Sequence, residues 1–109
     1  IYDLSGASAG TPTISADMFN FISVRTFSIA ATGHQASCVT APSGGGPQFT
    51  IKKNGSGIGF IDYTNGSTTG TVSITSGPVS VVAGDKLAVT APANVYSIDT
   101  PYFTLSGST

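Results

Sequence analysis

The chain has 109 residues, close to the usual size of one domain, so residues 1–109 are read as a single domain. Charged residues make up 8% of it, against about 25% in an average protein, and the net charge is −1. Four scattered cations, Arg25, Lys52, Lys53 and Lys86, cannot form a phosphate-neutralising stripe, which argues against nucleic-acid binding. No apolar run approaches the roughly 18 residues of a membrane-spanning helix, which argues against membrane insertion.

Glu and Trp are absent, and Ser, Thr and Gly supply most of the polar surface. Strong helix formers are therefore scarce and β-branched and turn residues abundant, which predicts an all-β fold. A weakly charged surface resists association poorly. It fits either a domain covered by neighbours in an assembly or a compact, Thr/Ser-coated extracellular domain. Cys38 is the one cysteine and reads as a small buried hydrophobe. The chain opens at Ile1, without Met or a signal sequence, and reads as an excerpt of a longer polypeptide, with a processed product as the alternative.

In chain order, residues 1–4 predict a short strand and residues 7–12 a small-residue entry loop. A second short strand is expected at 13–15 and a turn at 17–20. Residues 19–30, FNFISVRTFSIA, form the longest apolar stretch. Phe19 and Phe21 share one parity, Ile22 and Val24 the other, and Phe27 and Ile29 return to the first. The pattern fits a long strand with an irregularity near Arg25-Thr26, or a strand buried on both faces over its first half. Thr32-Gly33 is a turn. Residues 34–41 predict a strand with Ala36 and Cys38 on one face, and PSGGGP at 42–47 a flexible loop.

Residues 49–63 predict a tight β-hairpin. Asn54-Gly55 suits a type I′ turn, which needs positive φ at both central residues. With those two in the loop, Lys53 faces Ser56, Ile51 faces Ile58 and Phe49 faces Phe60, so four apolar side chains share one face. Gly57 and Gly59 then mark places where another backbone comes close. After a loop at 64–70, residues 71–76 alternate, with Val72 and Ile74 facing inward. Residues 79–92 predict a second hairpin, with Val81 opposite Leu87 and Val79 opposite Val89 across a Val82–Lys86 loop. Residues 95–98 are a short strand or an extended loop. At 101–105, Phe103 and Leu105 share one face, and Tyr102 and Thr104 the other. About eight strands at turn spacings of 8–12 residues indicate an antiparallel β-sandwich, jelly-roll-like, with another Greek-key sandwich as the alternative.

Chemistry-bearing motifs are few. His34 and Cys38 lie about 13 Å apart on a strand, with no further His or Cys to complete a zinc site. The five Asp residues fit no calcium loop, and no G-x-S-x-G elbow accompanies His34. No catalytic residue, metal or cofactor is assigned, and the chain reads as a non-enzyme. Asn54-Gly55-Ser56 and Asn65-Gly66-Ser67 match the glycosylation pattern, although turn chemistry already accounts for both. The tyrosines Tyr2, Tyr63, Tyr96 and Tyr102 are the binding candidates, because an aromatic face beside polar groups stacks on sugars and other flat ligands. Tyr96 and Tyr102 lead this group.

Five segments, YDLSG at 2–6, VRTFSIA at 24–30, FTIKKNGSGIGFI at 49–61, VVAGDKLAVTAP at 81–92 and IDTPYFTLSG at 98–107, occur in this order. Together they resemble small β-sandwich domains of structural proteins in tailed bacteriophages and related particles, tail-associated or on heads. The resemblance implies a non-enzymatic virion-surface domain: a tail-fibre or baseplate display domain, or a capsid decoration. Its expected partners are copies of itself as a homotrimer, other virion proteins and a host-surface glycan. The PSGGGP loop and Cys38 fall outside the pattern, and the family offers no catalytic motif to carry over. The alternative is a carbohydrate-binding module of a secreted or cell-surface protein.

Overall fold

The structure, a computed structural model, describes residues 3–8, 10–75 and 77–108. Among these residues there is no helix, and eleven strands run β1 (Leu4–Ala7), β2 (Asp17–Ile22), β3 (Phe27–Ile29), β4 (Gln35–Thr40), β5 (Gln48–Lys53), β6 (Ser56–Tyr63), β7 (Thr69–Ile74), β8 (Val79–Val81), β9 (Lys86–Thr90), β10 (Asp99–Leu105) and β11 (Gly107–Ser108). Eight of them form one sheet in the order β1-β10-β4-β7-β6-β5-β9-β2, and β11-β3-β8 form a second. Every pairing is antiparallel.

Within the large sheet the pairings nest: first strand with last (β1 with β10), second with seventh (β2 with β9), third with sixth (β4 with β7) and fourth with fifth (β5 with β6). That wrapping is the jelly roll expected from the sequence. The sheet curls until its two edges approach, and phenyl rings seal the seam. Phe19 of β2 packs edge-on against Phe103 of β10, with ring centroids 5.2 Å apart. Phe49, Ile51, Ile61, Val81, Val89 and Ile98 are almost fully buried inside the curl.

The central hairpin forms, with a register different from the expected one. Asn54 and Gly55 have φ of 52° and 85°, as the I′ turn requires, and Lys53 does face Ser56. Ile58 is then an extra residue: Lys52 pairs with Gly57 but Ile51 with Gly59, and Phe49 with Ile61. This β-bulge reverses the parity of β6 beyond it. Gly59, Ile61 and Tyr63 point inward, Ile58 packs at the core margin, and Phe60 lies on the outer face opposite Thr50 and Ser73. The cause is the neighbouring strand. A Cβ on Gly59 would collide with the Ser73 carbonyl oxygen of β7, so only glycine fits there. The close approach expected at Gly59 is made by the chain's own backbone; Gly57 is exposed.

Four other expectations are corrected. Residues 17–20 are strand rather than turn, because β2 pairs with β9 from Asp17 onward. Residues 13–15 form a turn, closed by the Ala16 N–H donating to the Thr13 carbonyl. Residues 95–98 are likewise a turn, with positive φ at Tyr96 and Ser97. Residues 79–92 are not a hairpin: β8 pairs with β3 in the small sheet, while β9 pairs with β5 and β2 in the large one. The inward faces of an arch between two sheets are as apolar as those of a hairpin, so the pattern alone did not separate them. Of the expected strand at 1–4, residues 1 and 2 lie outside the described residues, and β1 begins at Leu4.

The long apolar stretch also spans both sheets. It breaks at residues 23–26, and β3 leaves the large sheet. Ser23 is buried; its hydroxyl donates to the Arg25 carbonyl, its N–H to the Asp85 carbonyl, and its own carbonyl accepts the Gly84 N–H. His34 ties the small sheet's connections together. The Ser106 N–H donates to Nδ1, so Nε2 carries the proton and donates to the Ala30 carbonyl.

The bulged register is tested at its two glycines. Gly59→Ala destabilises the fold by about 1–3 kcal/mol in urea unfolding, whereas Gly57→Ala, whose new Cβ meets only Thr50 Cγ2 at 3.7 Å, is near neutral. Equal effects would refute the bulge. A second prediction concerns pH. Asp85 accepts the Val82 N–H and the Asn54 side-chain amide, which together hold its carboxyl below the ordinary value of 3.8. A carboxylate with a depressed folded-state value stabilises the fold above its unfolded value, and that contribution is lost as pH falls through the folded one. Asp85→Asn therefore flattens the loss of stability below about pH 4, measured by thermal unfolding across pH.

Candidate functional site

The jelly-roll wrapping places β10 between β1 and β4, with alternate residues facing outward. Tyr102 pairs with Ser37 on one side and Ala7 on the other, and Thr104 pairs with Gln35 and Ser5. Both cross-strand neighbours of Tyr102 are small, so its ring rises above them and is 45% exposed. Between β4 and β10 runs an open groove of about 200 Å³, lined by Gln35, Ala36, Ser37, Tyr102, Phe103 and Thr104. Gln35 supplies both a donor and an acceptor. The Thr104 and Ser5 hydroxyls share a 2.9 Å hydrogen bond at the far rim, and the Ser37 hydroxyl donates to the Thr68 carbonyl at 2.8 Å. An aromatic wall, a polar rim and a floor of small residues suit a flat ligand with an apolar face and hydroxyl edges.

The candidate tyrosines separate into different roles. Tyr102 lines the groove. Tyr63 lies behind the same strands on the core side, and its expected ligand contact is not available there: the residue is 3% exposed and packs edge-on against Phe49 at 5.7 Å. Its hydroxyl donates to the Ser37 carbonyl at 2.8 Å and lies 3.5 Å from the Tyr102 carbonyl. Tyr63 thus pins the β4 backbone of the groove from beneath, beside β10. Burial, followed by the neighbouring Cys38 and Tyr102, pushes its phenol well above the ordinary range. The bulge at Ile58 is what turns Tyr63 inward.

Tyr96 stands apart, in the loop joining β9 to β10. Its N–H is capped by the Asn94 side chain, and its carbonyl accepts the Ser43 N–H. Its ring lies so close to Gly45 that a Cβ there would collide with it. The PSGGGP loop is therefore a wrapping for Tyr96, and its Gly45 leaves room for the ring. Tyr2 lies outside the described residues. Gln35, Ser37 and Thr104 were missed from the sequence; the signal available was the outward parity they share with Tyr102.

Cys38 is buried and unpaired to any other cysteine, as expected, and burial raises its thiol above the ordinary value. Its N–H donates to the Thr68 carbonyl, beside the Ser67 carbonyl that its thiol faces at 3.9 Å. Among the described residues no three His, Cys, Asp or Glu side chains group as metal ligands would. Asp62 accepts a hydrogen bond from Gln48, and Asp99 one from the Thr100 hydroxyl.

The two roles separate by mutation. Tyr63→Phe costs about 1 kcal/mol of stability by removing its hydrogen bond to the Ser37 carbonyl, whereas Tyr102→Ala stays within about 0.5 kcal/mol of the parent in urea unfolding. No known family model matches this sequence, and no curated protein is significantly similar to it.

Proposed function

We propose that this chain is a non-enzymatic surface domain of a phage or phage-like particle, in a tail-fibre, baseplate or head-decoration protein. It presents the β4–β10 groove to host-surface glycans and uses other parts of its surface to meet copies of itself, as a trimer, and other virion proteins. The observation that supports this best is Tyr102, exposed between Ser37 and Ala7 with Gln35 and Thr104 alongside. The apolar C–H face of a sugar ring packs on such an aromatic while its hydroxyls bond the neighbouring polar groups. The scaffold favours this kind of binding, because a site on paired strands, braced by Tyr63 from the core side, costs little ordering when a ligand arrives. The five segments that resemble phage structural domains supply the virion context. The same groove also supports the second reading, a carbohydrate-binding module of a secreted or cell-surface protein.

A glycan array tests the binding half. The parent chain binds a subset of glycans, Tyr102→Ala weakens that binding at least about tenfold, and Tyr96→Ala, away from the groove, retains it. A blank array with the parent chain defeats the glycan reading. Immunogold labelling with antibody to the domain tests the context. Label on particles supports the virion reading, and label confined to cell surfaces or the secreted fraction supports the alternative.

A further inference from the structure

The antiparallel order of the large sheet sorts its strand ends into two poles. One pole carries the β5–β6 turn, the break at residues 23–26 and the turn at 82–85. The other carries the loops before β2, between β4 and β5, between β6 and β7, and before β10. The charges sort with them. All four cations belong to the first pole: Arg25 in the break, Lys52 and Lys53 at the end of β5, and Lys86 at the start of β9, paired with Ile22. Asp85 is there too, engaged with Val82 and Asn54, as is Asp3 before β1. The remaining acids, Asp17, Asp62 and Asp99, mark the opposite pole, at the start of β2, the end of β6 and the start of β10.

Exposed aliphatic side chains follow the same division. Ile22, Val24 and Val82 are 61%, 75% and 49% exposed at the basic pole. They lie together, because Ser23 is hydrogen-bonded to Asp85 and Gly84 across the gap between their segments. Ile14 and Val39 are exposed toward the acidic pole. Neighbouring exposed aliphatics ringed by polar groups mark an interaction surface.

We infer that the basic pole, centred on Ile22, Val24 and Val82, docks the acidic pole of a second copy of this chain, head to tail. Charge complementarity selects this occupant. A contact between two basic poles would set four cations against four, whereas the acidic pole of another copy offers three carboxylates and aliphatics of its own. Such a contact is heterologous, so copies close into a ring or continue as a filament. It does not depend on the glycan reading, and a blank array leaves it standing.

Sedimentation of the full chain tests it. The mass-average rises above the monomer with concentration, and association is roughly tenfold stronger at low than at physiological ionic strength. Val24→Asp with Val82→Asp breaks the basic pole, and Asp17→Lys with Asp62→Lys breaks the acidic pole. Each variant alone is monomeric. Mixed, they pair as heterodimers and stop there, because one intact pole remains on each. Val24→Ser with Val82→Ser serves if the aspartate pair fails to fold. A parent chain that stays monomeric at low ionic strength overturns the inference. So does a folded basic-pole variant that still self-associates, or a mixture that does not pair.

Discussion

The Ser73 carbonyl of β7 occupies the space that a side chain at position 59 would need, and the rest of the sheet is set by how the chain accommodates it. Glycine at 59 and the extra residue Ile58 are the accommodation. Beyond the bulge, Ile61 and Tyr63 face the core and Phe60 faces out. Tyr63 inward gives Phe49 an edge-on partner and gives the Ser37 carbonyl a donor, 3.5 Å from the Tyr102 carbonyl. The groove on the outer face is therefore braced by a side chain whose direction was decided at the far end of the same strand. With an uninterrupted ladder, Tyr63 would point to solvent and β4, the strand beside Tyr102, would lose its anchor at the Ser37 carbonyl.

A second constraint acts where the chain passes between sheets. A buried polar backbone must be hydrogen-bonded, and Ser23 satisfies its own within a knot of local bonds to Arg25, Gly84 and Asp85. The knot joins two segments that leave the large sheet at the same place, 23–26 after β2 and 82–85 before β9. Phe27, Ile29 and Val81 of the small sheet then close that end of the core. The same knot brings Val24 and Val82 to the surface together, so the hydrogen bonding of the interior also shapes the exterior.

Much of this was legible in the residues. Thr, Val, Ile and Gly in place of Glu and Leu specify strands and turns, and local turn chemistry places Asn54-Gly55, because the φ > 0 requirement is met by the two residues themselves. Outward parity of Tyr102 and Thr104 also follows from alternation over 101–105. The candidate site was half legible for the same reason. Tyr102 was named, but its companions Gln35 and Ser37 lie more than sixty positions away and meet it only through the β4–β10 register. Tyr63 and Tyr96 have the same chemistry in sequence, and only burial and wrapping distinguish them.

The sequence by itself determined the all-β class, the I′ turn and the burial of Cys38, since each rests on composition, alternation or the φ preferences of single residues. Tertiary structure decided the bulge at Ile58, the arch in place of a second hairpin, and which tyrosine faces solvent. These depend on contacts between segments distant in the chain: the Ser73 carbonyl over Gly59, β8 choosing β3 over β9, and the Tyr96 ring against Gly45. An apolar side chain satisfies its burial equally well in either register or either sheet, and only the backbone groups and volumes it meets there choose between them.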